Sequence, residues 1–153
     1  MSVIKRIIFV ALLTAAAALA QETAGYVFAA PGSASGTGTI QGGVGGELVW
    51  RYFGFGGDVS YLAPQRSFSD GFGVLSLDPA IHFPTHGHSS LDPYFLGGYT
   101  LFFRGGVANG GNYGGGVNWW FHRDFGLKLE LRDQVVQGTH YWGFRVGLNF
   151  HTD

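Results

Sequence analysis

The sequence predicts an all-β protein, an eight-stranded antiparallel up-and-down transmembrane β-barrel. Apolar residues alternate with small or polar residues at a period of two along most of the chain, as expected of strands with two different faces. Glycine accounts for 27 of 153 residues, whereas charged residues make up only 12%. Longer connections also alternate with shorter ones, which is typical of barrels that cross a membrane with strands.

The composition excludes several classes of protein. A soluble domain usually carries about 25% charged residues and about 7% glycine, so an ordinary cytosolic enzyme is not expected. A hydrophobic fraction of 46% and a net charge of −1 are the opposite of a disordered chain. The balanced charge also gives no basic surface for a nucleic-acid partner. Without cysteine there is no disulfide, thiolate metal site or cysteine nucleophile.

Residues 1–20 are predicted to be a secretory signal peptide. Lys5 and Arg6 precede the apolar stretch Ile7–Ala20, which ends in the small-x-small pattern Ala18-Leu19-Ala20. A membrane-spanning helix is the alternative, but this stretch is shorter than the roughly 18 residues that a bilayer requires. We therefore expect a mature barrel domain over residues 21–153.

The clearest strands are the last two. In Tyr141–Phe150 one face carries Trp142 and every second residue after it, all apolar, while the other face is small or polar. Residues 125–132 repeat this pattern, and Pro79 predicts a bulge or register break in an earlier strand. The predicted strands cover residues 24–30, 39–50, 54–62, 72–83, 93–104, 111–121, 124–132 and 140–150.

The predicted connections differ in length at the two ends of the barrel. Short turns are expected near residues 51–53 and 122–123, and 84–92 is an exception at the same end. We expect any biological activity to lie in the four longer loops, as surface recognition or as plain connections. These loops are residues 31–38, 63–71, 105–110 and 133–139.

The apolar face is predicted to point towards lipid. An eight-stranded barrel has room inside only for side chains, and small residues fit there better than rings. The few charged residues could not cover a soluble exterior. A secreted, lipocalin-like ligand-binding barrel with an apolar interior is the alternative. The charges predicted inside could neutralise one another; they are Glu47, Asp58, Asp78 and Glu130 with Arg51, Lys128, Arg132 and Arg145.

Aromatic residues are predicted to form two girdles at the membrane interfaces. The girdle at the short-turn end comprises Trp50, Tyr52, Phe53, Phe83, Tyr94, Trp119, Trp120, Phe121, Phe125 and Phe150. The girdle at the long-loop end comprises Tyr61, Phe72, Phe102, Phe103, Tyr141 and Trp142.

Three features together carry a family resemblance: the signal ending at Ala20, the hairpin over residues 114–130, and the closing Phe144-Arg145-Val146-Gly147-Leu148-Asn149-Phe150. With these features the chain resembles the outer-membrane protein β-barrel domain family, the small eight-stranded OmpA/OmpX-type barrels of Gram-negative envelopes. The resemblance implies a cell outer-membrane location, contact with the lipid bilayer and the assembly machinery, and a structural or surface-interaction role. We expect a monomer without catalysis, cofactor or metal.

One cluster of residues could carry chemistry. His82, His86 and His88 could ligate a transition metal, but only Asp92 accompanies them, and a polar turn is the favoured interpretation. The spacing of His88 and Ser90 distantly resembles that of envelope lipid A deacylases, which are also eight-stranded barrels. An envelope enzyme of that kind is the second functional alternative, although its serine would have to be accessible to lipid.

Overall fold

A computed structural model shows a closed barrel of eight antiparallel strands and describes residues 22–85 and 90–151. Each strand pairs with its sequence neighbours, and β1 pairs with β8 to close the barrel. The predicted fold class and strand count are therefore confirmed. The strands are β1 (Glu22–Ala34), β2 (Thr37–Trp50), β3 (Phe53–Pro64), β4 (Phe72–His82), β5 (Leu91–Phe103), β6 (Val107–Trp120), β7 (Phe125–Val136) and β8 (Thr139–His151).

The strands are long enough to cross a bilayer. They contain 11 to 14 residues, whereas a transmembrane strand needs about 9–11. The predicted two-faced pattern is confirmed, because Phe144, Val146 and Leu148 of β8 are exposed on the outside and Arg145 between them is buried. No helix among the described residues is long and apolar enough to span a membrane.

The ends of the barrel differ from the prediction. An even number of strands places Glu22 and His151 at one end, called here the terminal end, and the opposite end is called the distal end. At the distal end the strands run on through 31–38 and 133–139, so the long loops predicted there are wrong. Alternation fades in these segments because Gly32, Ser33 and Ala34 are small on both faces and Val135 and Val136 are apolar on both, yet the strand hydrogen bonding continues.

Two-residue turns replace these predicted loops. Ser35 and Gly36 join β1 to β2, and Gln137 and Gly138 join β7 to β8, all four with positive φ angles between 48° and 78°. Two consecutive positive φ angles are the signature of the type I′ hairpin, which matches the twist of the flanking strands. The remaining distal connections are residues 104–106 and 65–71, the latter with a short 3₁₀ helix at Phe68–Asp70.

Pro79 does not shift the register of its strand. The pairs Leu77↔Tyr99 and Ala80↔Leu96 on either side of it belong to the same register, so the predicted bulge or break is wrong. Pro79 lies on the exposed outer face, and its missing N–H interrupts the ladder of hydrogen bonds without displacing the strand.

Some predicted girdle residues point inward instead. Tyr94 and Phe102 are buried in the lumen, Phe72 and Tyr141 pack against an inner cluster, and Trp120 lines the terminal mouth. Glycines on the neighbouring strands make room for such rings. A Cβ at position 116, for example, would lie 2.8 Å from the Tyr94 hydroxyl. Large rings exposed on the outer wall near the strand ends are Trp50, Tyr61, Phe83, Phe103, Trp119, Phe125 and Trp142.

Candidate functional site

The interior holds a cluster of charged side chains centred on Arg132 of β7. Its guanidinium Nη1 lies 2.6 Å from Asp78 Oδ2 on β4 and 3.3 Å from Asp58 Oδ2 on β3. Its Nε donates to Glu130 Oε1 at 2.7 Å. All four side chains are almost completely buried. Arg132 thus reaches across the lumen and ties β7 to the opposite wall.

Two further cations complete this lumenal charge cluster. Arg145 on β8 donates to Asp58 at 2.8 Å, and its guanidinium lies 4.1 Å from the centre of the Phe28 ring. Lys128 Nζ lies 3.8 Å from Glu130 Oε2 and 3.9 Å from Glu47 Oε2. Buried charges are tolerated when they are paired and hydrogen-bonded in this way.

The prediction that Arg51 lies in the lumen is wrong. Arg51 is exposed in the turn between β2 and β3, where its φ angle is 56°. His82 at the end of β4 is buried in the lumen instead. Its Nδ1 lies 2.7 Å from Asp92 Oδ2 and its Nε2 lies 3.0 Å from Glu47 Oε1. A protonated imidazole has two N–H groups and can donate to both carboxylates.

The structure gives His82 a different role from that of the metal ligand considered for the histidine cluster. Both of its ring nitrogens already face carboxylates inside the barrel. His86 and His88 lie outside the described residues, so the metal hypothesis and the pairing of His88 with Ser90 stay sequence-based predictions. Ser90 lies at the terminal end, where its backbone carbonyl accepts a hydrogen bond from the Trp120 amide at 2.8 Å.

Two open depressions lie at the mouths of the barrel. The one at the terminal end has a volume of about 180 Å³ and is lined by His82, Asp92 and Trp120 among others. Typical small-molecule sites measure about 300–1,000 Å³, so this one is small. The distal depression is larger, about 420 Å³, and Phe102 and Tyr141 contribute to its lining.

Apolar side chains fill the lumen beneath the distal depression. Leu62, Val74, Phe102 and Val136 form a buried cluster there. The Phe72 ring packs 4.7 Å from that of Phe102, centre to centre. The lumen is therefore occupied in two successive layers, one charged and one apolar.

The two faces of the wall define the class of protein. The interior carries charges and amides together with one apolar layer, whereas apolar side chains such as Phe55, Phe95 and Leu148 cover the exterior. This distribution overturns the lipocalin-like alternative, which requires an apolar interior. A closed antiparallel barrel with such faces is an eight-stranded outer-membrane β-barrel, the arrangement that satisfies every backbone hydrogen bond within a bilayer.

Comparison with known proteins supports this class through the fold alone. No protein-family model and no curated protein sequence matches the chain. Among solved structures, the N-terminal β-barrel domain of Pseudomonas aeruginosa OprF is similar with a TM-score of 0.66 and 17% identity, covering 87% of this chain and 98% of that one. Neisserial surface protein A gives 0.63 and 15%, covering 84% and 95%.

A third similar structure is Ail, the attachment invasion locus protein of Yersinia pestis. It has a TM-score of 0.54 and 12% identity, and the match covers 87% of this chain and 99% of Ail. The three structures agree with the resemblance noted from the sequence, which is confirmed at the level of the fold. They assign no catalytic or binding residue to this chain.

Proposed function

We propose that the protein is exported with residues 1–20 as a cleaved signal peptide and that residues 21–153 are folded by the outer-membrane assembly machinery as a monomer. The chain reaches the outer membrane from the periplasm. Both strand ends at Glu22 and His151 lie at the terminal end, so this end stays in the periplasm and the distal end faces the exterior.

We propose a structural role in the outer membrane, with a closed lumen and no catalysis by the barrel wall. The observation that carries this proposal is the contact of Arg132 with Asp58, Asp78 and Glu130, which crosses the lumen. The apolar cluster around Phe102 forms a second layer towards the distal end. These two layers support the proposal that the lumen is closed to water and ions.

Surface interaction is the second candidate, and it would fall on one loop. Among the described distal connections, residues 65–71 form the longest, and the others contain two or three residues. Arg104 braces this loop, because its Nη2 donates to the Ser69 carbonyl at 3.0 Å and lies 3.4 Å from Asp70 Oδ1. Ail has been crystallised with a heparin analogue. Arg66 and Arg104 are exposed cations at this loop of the present chain.

A conductance measurement tests the closed lumen. The purified protein is reconstituted into a planar lipid bilayer, and we expect no discrete channel openings in salt solution. Steady openings of the unsubstituted protein would contradict the closed lumen. The same measurement on Arg132→Ala serves as the comparison, because this change removes the side chain that crosses the lumen.

Complementation of a deletion strain separates the structural role from surface recognition. The variant replaces residues 66–70 with a two-residue turn and leaves the strands intact. We expect it to restore envelope integrity, measured as retention of periplasmic marker enzymes, as well as the unsubstituted protein does. Failure of this variant alone would favour surface recognition. A change in lipid A acylation that His88→Ala or Ser90→Ala abolishes would instead establish the enzyme alternative.

A further inference from the structure

A carboxylate lies on the lipid-facing side of β7 near the distal end. Asp133 follows Leu129 and Leu131 at the same two-residue spacing, and its register partner on β8 is the exposed Trp142. Yet the Asp133 side chain is completely buried. An ionisable group on a membrane-facing wall is costly, and such groups mark functional sites when they are held by specific partners.

Three side chains enclose Asp133. The Tyr113 hydroxyl donates to Asp133 Oδ2 at 2.7 Å, and His140 Nδ1 lies 2.6 Å from the same oxygen. The rings of Tyr113 and Trp142 meet edge to face with centres 6.0 Å apart. Since these two residues are the direct neighbours of Asp133 on β6 and β8, their rings lie over the carboxylate. The second carboxylate oxygen, Oδ1, is buried and has no hydrogen-bond partner among the described residues.

His140 presents a nitrogen to the surroundings. Its side chain is 53% exposed, and its Nδ1 is held by Asp133. A carboxylate bound to one ring nitrogen fixes the orientation of the imidazole and leaves the other nitrogen available to bind a ligand. In the described part of the chain Nε2 has no partner. When His140 is protonated, Asp133 balances its charge and Nε2–H is a donor facing outward.

The depth of this pair in the membrane follows from the aromatic girdle. Trp142 is an exposed ring near the distal end of β8, and such rings lie at the level of lipid headgroups, whereas Tyr113 lies at the middle of β6. His140 is two residues closer than Trp142 to the turn at Gln137 and Gly138. Its Nε2 therefore lies on the headgroup side of the girdle, where lipid phosphates are found.

We propose that Asp133 and His140 form a binding site for the phosphate of a lipid headgroup in the leaflet at the distal end. Nε2–H of protonated His140 donates to a phosphate oxygen, and the charge-assisted bond is stronger than a neutral one. Asp133 orients the ring through its contact with Nδ1. The rings of Tyr113 and Trp142 pack against the first acyl carbons of the same lipid.

Ester hydrolysis is the other chemistry that an Asp–His pair can support, and the structure favours binding. A hydrolase needs a nucleophile within hydrogen-bond reach of the histidine. No serine or threonine hydroxyl is hydrogen-bonded to His140 in residues 22–85 and 90–151. The neighbouring outward position on the same strand carries Trp142 instead of a hydroxyl.

Native mass spectrometry of the full-length protein in detergent micelles tests the proposal. Three probes are titrated: dioleoyl phosphatidic acid, dioleoylglycerol, which lacks the phosphate, and inorganic phosphate. We expect phosphatidic acid to bind at least about tenfold more tightly than dioleoylglycerol, as a charged hydrogen bond contributes. Equal binding of the two lipids overturns the proposal, and this comparison needs no variant. Displacement of phosphatidic acid by micromolar inorganic phosphate would assign the site to free phosphate and overturn the headgroup assignment.

His140→Gln identifies the site. We expect it to weaken phosphatidic acid binding about tenfold. The matched control is His122→Gln, because His122 is also exposed beside a carboxylate, that of Asp124 at 3.7 Å, but lies at the terminal end. The control should bind like the unsubstituted protein. Folding of each variant is checked by its heat-dependent mobility on gels. Unchanged binding by folded His140→Gln, or equal losses in both variants, overturns the proposal.

Discussion

Removing Arg132 from the lumenal charge cluster should destabilise the barrel strongly, and the structure indicates where the cost arises. In Arg132→Met, Asp58 keeps its bond from Arg145 at 2.8 Å. Asp78 keeps only the amide of Asn112, also at 2.8 Å, and loses its one cationic partner in the described structure. The change therefore leaves one buried carboxylate unpaired, which costs about 3–5 kcal/mol.

A double-mutant cycle separates this cost from general damage to the packing. Asp78→Asn alone leaves Arg132 with Glu130 and Asp58, so it should cost about 1.5–3 kcal/mol. In the double variant no carboxylate remains unpaired at position 78. We expect its loss of stability to be smaller than the sum of the two single losses by about 2 kcal/mol.

The measurement is urea unfolding in lipid vesicles, followed by tryptophan fluorescence. Arg66→Met is the control, because Arg66 is exposed in the loop between β3 and β4 and should leave the midpoint unchanged. Two results would contradict this account of the carboxylates. One is an Arg132→Met variant as stable as the control. The other is a double variant whose loss of unfolding free energy equals the sum of the losses in Arg132→Met and Asp78→Asn.

Three other changes test separate parts of the structure. Leu129→Arg places a charge on the outer wall at the middle of β7 and should cost about 2–4 kcal/mol in the same unfolding measurement; no loss would contradict the inside-outside assignment. Gly45→Val should lower the free energy of unfolding by about 1–3 kcal/mol, because a Cβ at position 45 would lie 2.4 Å from the Tyr26 ring. Stability equal to that of the unsubstituted protein would show that the ring is free to move. Hydrogen bonds from Ser67 and Arg104 lower the pKa of Asp70 below its ordinary 3.8. The Asp70–Arg104 contact should therefore persist as the pH falls through 3.8 and be lost only below it, and amide chemical shifts that titrate at or above 3.8 would contradict it.

The faces of the strands were predictable because lipid imposes a simple rule. Along β7 every second residue from Phe125 to Leu131 is apolar, and Lys128 and Glu130 between them are buried inside. The apolar residues of this pattern must face lipid and the charged residues must be enclosed. Only a narrow polar lumen with an apolar exterior meets both requirements. The pairing of most interior charges could be predicted for the same reason, although Arg51 lies outside the lumen and His82 was missed.

Residues at the strand ends were less predictable. The side on which Arg51 lies depends on where the turn begins, and a turn one residue longer or shorter reverses the face. Tyr94 and Phe102 carry no local signal for their side, because the room for them comes from other strands. The face on which such a residue lies therefore depends on several strands of the closed barrel and cannot be predicted from one segment.

The pair formed by Asp133 and His140 was missed for a related reason. Residues 133–139 resemble a loop in composition, and only the two-residue turn at Gln137 and Gly138 places both side chains on the outer wall. One signal was present in the sequence. Asp133 shares its spacing with Leu129 and Leu131, so continuing the predicted strand 124–132 by one residue would have placed a carboxylate at the lipid.

The charge cluster has a consequence for the order of assembly. Its members come from β2, β3, β4, β7 and β8, and the contacts of Arg132 and Arg145 with Asp58 join residues 74 and 87 positions apart. An unclosed sheet therefore carries uncompensated charges on the face that would meet lipid acyl chains. Insertion of one hairpin at a time therefore has a free-energy cost. The lumenal charges are neutralised when β1 and β8 pair and the barrel closes. The same side chains that occupy the finished lumen thus make entry into the bilayer cooperative.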